Sequence, residues 1–204
     1  LDDDDLVRAQ GVVGHVDDLL HELTHAVEGE HLLEVGDGDR RRRALRRREP
    51  EQLDGLVLPG GESTTQKKLL SDLGMYEPLR ERIASGLPVL ATCAGLILLA
   101  KSATRDKCPY PSFGTLPVRV RRNAYGRQLG SFSTKSEIKG LGDFPMRFIR
   151  APFIEEAAPE VDVLARVGGN IVAVRYGHQI GLAFHPELGT DTRLHAAFLS
   201  MIAS

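Results

Sequence analysis

Three side chains in this sequence have the types and the setting for nucleophilic chemistry. Cys93 stands in "LPVLATCAGLILLA", residues 87–100, while His185 and Glu187 stand in "AFHPEL", residues 183–188. A thiol is a weak nucleophile until it is deprotonated, and a helix N-terminus or a proton-accepting histidine does that. A histidine works best as the base when a carboxylate holds its ring. Taken alone, Cys93 reads as a small core residue, the common fate of a free cysteine. Taken alone, His185 reads as a surface residue at a strand end. Together, with Glu187 two positions on and Pro186 stiffening the link, they read as nucleophile, base and orienting acid.

The elements around them must place the three groups at one point. "LPVLAT" is an apolar run of the buried, parallel-strand kind, and "AGLILLAKSA" reads as a helix. Thr92, Ala94 and Gly95 are small enough for a tight strand-to-helix turn that exposes a side chain, a nucleophile elbow in the physical sense. In open α/β sheets, ligands bind at that carboxyl edge. "QIGLAF" reads as a strand delivering His185 to its end. A third element is "LPGGEST", residues 58–64. Gly60 and Gly61 at a strand end let backbone N–H groups approach a ligand closely, and such groups can form an oxyanion hole. Glu62 adds a carboxylate that could hold an ammonium group. An ordinary strand-to-helix turn would also carry "PGG".

From Asp54 onward the chain reads as α/β. "DGLVLPGG" is a strand. "STTQKKLLSDLG" is a helix with Ser63 or a neighbouring threonine as N-cap and Gly74 as C-cap. "YEPLRERIASG" is a second helical stretch stopped by Gly86. The second half supplies short strand candidates, "TLPVRVRR", "MRFIRAP", "VDVLARV", "NIVAVRY" and "QIGLAF", with "GGN" and "YGHQ" as turns. "TRLHAAFLSMIAS" places Leu194, Ala197, Phe198, Met201 and Ile202 on one helical face. Strand–helix alternation followed by hairpins predicts a mostly parallel sheet, covered on both faces, with added antiparallel strands.

The bulk composition fits a single domain over 1–204. The 204 residues are 42% hydrophobic, which excludes wholesale disorder, and the formal net charge of −2 sets up no field toward nucleic acid or an anionic membrane. Two cysteines, Cys93 and Cys108, are too few for a disulfide framework, so a reducing cytoplasmic setting is expected. No apolar run is long enough to span a bilayer.

The motifs "PGGESTT" (59–65), "TCAGLILLA" (92–100), "RRNAYGRQ" (121–128), "FIRAP" (148–152) and "FHPEL" (184–188) resemble the glutaminase subunits of pyridoxal 5′-phosphate synthase. These subunits form a branch of the class I, triad-type glutamine amidotransferases. The resemblance runs from Glu51 to the end of the chain, in the family's order. Cys-x-Gly with His-Pro-Glu marks the class, and the other motifs mark the branch. It implies a flavodoxin-like three-layer sandwich. It implies that Cys93 attacks the carboxamide of L-glutamine, that His185 is the base, and that Glu187 orients it. Gly60, Gly61, Glu62, Arg122, Ile149 and Arg150 match substrate-binding positions. The ammonia would pass to a separate synthase subunit that builds the vitamin B6 cofactor. Docking to that subunit would activate the glutaminase, and neither metal nor cofactor is needed. A glutaminase serving a histidine or nucleotide pathway is the nearest alternative, against which "FIRAP" and "RNAYGRQ" weigh. A non-catalytic binding module is a further one, against which the intact Cys93, His185 and Glu187 weigh.

The first 50 residues depart from this pattern. "LDDDDLVRAQG" keeps Ala9, Gln10 and Gly11 but puts four aspartates where a first buried strand is expected. Seven arginines fall between Arg40 and Arg48, a block that reads as a solvated surface loop rather than a polyanion site. "HELTH", residues 21–25, is the H-E-x-x-H zinc-protease pattern. His31 stands at the distance of a third ligand, but the glycine of the longer pattern falls one place late, at Gly29. An exposed helix with Leu19, Leu20, Leu23 and Val27 as its buried stripe accounts for the segment better.

Overall fold

The computed structural model describes residues 32–34, 53–104, 106–122 and 131–203. In chain order the strands and helices are β1 (Leu32–Glu34), β2 (Gly55–Leu58), α1 (Ser63–Asp72), α2 (Tyr76–Ala84), β3 (Val89–Thr92) and α3 (Ala94–Leu99). There follow β4 (Ala100–Thr104), β5 (Leu116–Arg121), β6 (Ser131–Ile138), β7 (Gly142–Ile149) and β8 (Phe153–Ala157). Then come β9 (Asp162–Val167), β10 (Asn170–Tyr176), β11 (Gln179–Leu182), a 3-10 turn (Pro186–Leu188) and α4 (Arg193–Ile202).

The main sheet has the order β1-β2-β3-β11-β10-β8-β5-β4, with β9 added on β10. From β1 through β11 the neighbours run parallel. Strands β2, β3 and β11 are buried along their whole length, as continuous apolar runs in a sheet covered on both sides must be. The covering layers can be assigned from β2 itself. A Cβ on Gly55 would meet Phe198 and Ile202 of α4, whereas a Cβ on Gly95 of α3 would meet Leu58. Residues 55 and 58 point to opposite faces of a strand, so α3 and α4 sandwich the sheet. Beyond β11 the pairing turns antiparallel, through β10, β8 and β5.

Strands β6 and β7 form a separate antiparallel ribbon. Phe144 and Phe148 of this ribbon lie 6.2 and 5.7 Å from the Phe184 ring, centroid to centroid. His185 N–H donates to the Arg147 carbonyl at 2.8 Å. The ribbon therefore grips the chain at the point where β11 ends and the His-Pro-Glu turn starts.

Several sequence expectations hold, including β2, β3, β11, the glycine stops at 74 and 86, and the apolar face of α4. Others are corrected. The α1 N-cap is Glu62, not Ser63 or a threonine: its carboxylate accepts from Thr65 N–H at 2.7 Å. The helix at "AGLILLAKSA" ends at Leu99, and Ala100–Thr104 is a strand parallel to β5. All six residues of α3 are buried. At Lys101 and Ser102 the chain returns to the surface, and pairing with β5 overrides local helix propensity. Strands β6 and β8 were not anticipated. The first described strand is Leu32–Glu34, beside β2. The acidic "DDDDLVRAQ" run, "HELTH" with His31, and the arginine block at 40–48 lie outside the described residues.

Candidate active site

Cys93 sits between the last residue of β3 and the first of α3 with φ 49° and ψ −100°. That left-handed φ is one L-residues rarely hold without cause. The turn is fixed from both sides. Cys93 N–H donates to the Leu182 carbonyl of β11 at 2.8 Å. A Cβ on Gly95 would lie 1.9 Å from the Leu58 carbonyl oxygen, so only glycine lets α3 seat against β2. The small residues around Cys93 thus do what the sequence asked of them. The thiol is buried, with Sγ 3.9 Å from the Ile149 carbonyl oxygen.

His185 follows β11, the strand that pairs with β3 in parallel register. Its Nδ1 is 2.7 Å from Glu187 Oε1, and the two side chains are 11% and 15% exposed. Burial lowers the His185 pKa. Hydrogen bonding and charge from Cys93 and Glu187 outweigh it, and the ring is pushed up to about 10. A protonated ring between two acidic partners follows from that environment. Nε2 has no hydrogen bond of good geometry.

The loop at the end of β2 closes over the same histidine. A Cβ on Gly60 would come within 2.2 Å of His185 Cε1, and Gly61 holds φ +133°. Gln66 of α1 pins the loop from below, donating from Nε2 to the Pro59 and Gly60 carbonyls at 3.1 and 3.2 Å. Glu62 follows and carries two jobs, capping α1 and reaching Arg122. Burial raises its pKa, but hydrogen bonds from Thr65 and Thr64 win and hold it below the usual carboxylate value. Arg122 Nη2 lies 3.6 Å from Glu62 Oε1. Ile149, whose carbonyl oxygen lies on the Cys93 thiol, is 39% exposed despite its size, and Arg150 beside it in the chain has a left-handed φ of 43°.

All nine residues singled out from sequence are described. Cys93, His185, Glu187 and Gly60 are brought together, Gly61 and Glu62 continue the loop to Arg122, and the Ile149 carbonyl oxygen lies on the thiol. Residues 123–128 of the "RRNAYGRQ" motif lie outside the described residues. Sequence reasoning missed Gln66, Lys67 and Asp106. Lys67 is buried and pairs with Asp106, which also holds Arg122. Their partners are distant in sequence, so no local pattern announces them. His195 of α4 was also missed. Burial pulls its pKa down, although the Glu187 and Asp191 charges oppose this.

Comparison with known proteins gives a consistent picture. The sequence profile of the SNO glutamine amidotransferase family matches residues 12–204. A Desulfitobacterium hafniense protein named pyridoxal 5′-phosphate synthase subunit PdxT is 61% identical over 153 residues, covering 75% of this chain and 76% of its own length. Proteins of the same name from Methanocorpusculum labreanum and Streptococcus pneumoniae are 55% and 54% identical, over 74% and 73% of this chain and 78% and 76% of theirs. Among solved structures, one described as a glutamine amidotransferase superposes with a TM-score of 0.74 at 39% identity, over 85% of this chain and 99% of the other. A Thermotoga maritima glutamine amidotransferase, 19% identical with a TM-score of 0.51 over 77% of this chain and 67% of its own, shares the fold.

Proposed function

We propose that this chain, which belongs to the SNO glutamine amidotransferase family, hydrolyses L-glutamine to L-glutamate and ammonia for a pyridoxal 5′-phosphate synthase. The observation that carries the reading is the left-handed Cys93 at a strand-to-helix turn, beside a largely covered histidine whose Nδ1 is 2.7 Å from a carboxylate. The names borne by relatives at 54–61% identity support the choice of pathway.

In the proposed cycle, His185 holds the proton of the Cys93 thiol, and Sγ bonds to the carboxamide carbon. The carbonyl electrons move onto oxygen, where N–H groups of the Gly60–Gly61 loop receive the charge. Collapse breaks the C–N bond, and His185 gives its proton to the departing ammonia. The remaining glutamyl thioester is attacked by water, which His185 deprotonates in turn, and glutamate leaves as the thiol reforms. Glu187 keeps the ring in one orientation throughout. Glu62 takes the substrate ammonium, Arg122 its carboxylate, and Ile149 with Arg150 forms the rim. Ammonia then passes to a synthase subunit docked on this chain. The whole of 1–204 acts as one amidotransferase domain in the cytoplasm, where the free Cys93 and Cys108 stay reduced. Neither metal nor cofactor enters the cycle. No helix among the described residues is long and apolar enough to cross a membrane.

The test is glutamate release from L-glutamine by the full chain, with and without a pyridoxal 5′-phosphate synthase synthase subunit and in the presence of a zinc chelator. Release that rises with the partner and ignores the chelator is the expected result. Release abolished by the chelator would shift attention to "HELTH", and no release in any mixture would remove the glutaminase reading.

A further inference from the structure

A line of alternating charges runs from the interior of α1 to the rim of the glycine loop. Lys67 is the innermost member, its side chain 2% exposed. A buried ammonium without a counter-charge is costly. Asp106 supplies one, with Oδ2 on Lys67 Nζ. The other oxygen, Oδ1, accepts from Arg122 Nη1 and from Cys108 N–H, both at 3.0 Å. Both carboxylate oxygens are therefore engaged, and the group cannot rotate. Burial alone would raise the Asp106 pKa, but these contacts hold it below the usual value. Arg122, fixed at Nη1, turns Nη2 toward Glu62 Oε1 at 3.6 Å, too long for a good hydrogen bond. The outer pair is the loosest in the line, and Glu62 is the most open member at 55%.

We propose that Asp106, clamped by buried Lys67, is a positioning residue that aims Arg122 at the α-carboxylate of the amino-acid substrate. The inference rests on the glutaminase reading above and deepens it. A zwitterion docking over the loose, open Glu62–Arg122 pair meets each of its charges with the opposite charge of the pair. Its carboxylate meets a guanidinium already held in place, and its ammonium meets Glu62. A pre-aimed guanidinium loses little freedom on binding. Without Asp106, Arg122 and Lys67 are two cations with no anchor between them. The carboxylate end of glutamine lies away from the bond that breaks, so this contact is the same in the ground and transition states. Its loss therefore falls on KM and spares kcat.

The test uses the full chain with its synthase subunit and compares wild type with Asp106→Asn, Asp106→Glu and Lys67→Gln. Two quantities are read: the kinetics of glutamate release and the rate at which iodoacetamide, which has no carboxylate, alkylates Cys93. Asp106→Asn is expected to raise KM for L-glutamine roughly tenfold, about 1.4 kcal/mol of binding, with kcat and alkylation rate little changed. Asp106→Glu recovers part of the KM. Lys67→Gln moves it the same way by less, because Asp106 keeps Arg122 and Cys108 N–H. An unchanged KM in Asp106→Asn overturns the proposal, as does a loss carried by kcat. A fall in alkylation parallel to the kinetic loss also overturns it, because the role is then structural. Wild type that releases no glutamate removes the reading beneath it, a separate and recognisable failure.

Discussion

In the proposed cycle the reacting residues divide their labour, so substitutions should separate them. Cys93→Ala and His185→Asn are expected to abolish glutamate release while circular dichroism stays near wild type. Glu187→Gln should cost less, because it orients the ring without touching substrate. Cys93→Gly tests the backbone. A non-glycine residue at a left-handed φ stores on the order of 1–3 kcal/mol. The glycine variant should therefore melt above Cys93→Ala, by about 1 kcal/mol in stability, although it is equally inactive. Equal melting temperatures would show that the turn at φ 49° is not strained. The His185 pKa, pushed up to about 10, has a consequence for stability against pH. A folded-state pKa above the unfolded value of about 6.5 favours the fold fully below that value. The benefit fades as pH rises toward 10. Melting temperatures between pH 6 and 10 should fall in wild type and fall less in His185→Asn.

At the level of elements, the parts nearest the chemistry were the most legible. Cys93 with its small neighbours, and histidine two places before glutamate, have local signatures because one turn must place each set. Gly60 and Gly61 were legible as a close-approach loop, though Gly60 was not legible as the residue that makes room for the His185 ring. Asp106 and Lys67 could not be read, since they are 39 positions apart and meet only when α1 packs beside the segment after β4. Strand β6 escaped for another reason: "SFSTKSEI" alternates exposed and half-buried residues and buries only Ile138 fully, so it carries little apolar signal. The α1 cap escapes sequence patterns because Glu62 is not among the short polar residues favoured at that position. Two glycine substitutions distinguish positioning from packing. Gly60→Ala would press on a movable ring, so activity should vanish while the fold persists. Gly95→Ala would press on the Leu58 carbonyl at 1.9 Å, so the helix must shift. Destabilisation of about 1–3 kcal/mol or more is expected from such overpacking, read as an earlier urea midpoint.

On the scale of the whole molecule, the site is assembled from neighbouring strands, and the β6–β7 ribbon locks it from outside. Arg193 is the clasp. It ion-pairs with Asp191, donates to the Leu141 and Asp143 carbonyls and lies 5.4 Å over the Phe144 ring. Arg193→Met should speed amide exchange across 138–149 and lower glutaminase activity through His185, whose backbone hangs on Arg147. Unchanged exchange in that segment would show that the clasp is ornamental. The strand order has one more effect, on timing during synthesis. Strand β3 with its thiol leaves the ribosome early, yet its neighbour β11, which brings the base, is made some ninety residues later. Until then the thiol has no proton acceptor beside it. A chain released before residue 179 would thus be no weak glutaminase but an inert one, with an open strand edge for quality control to find.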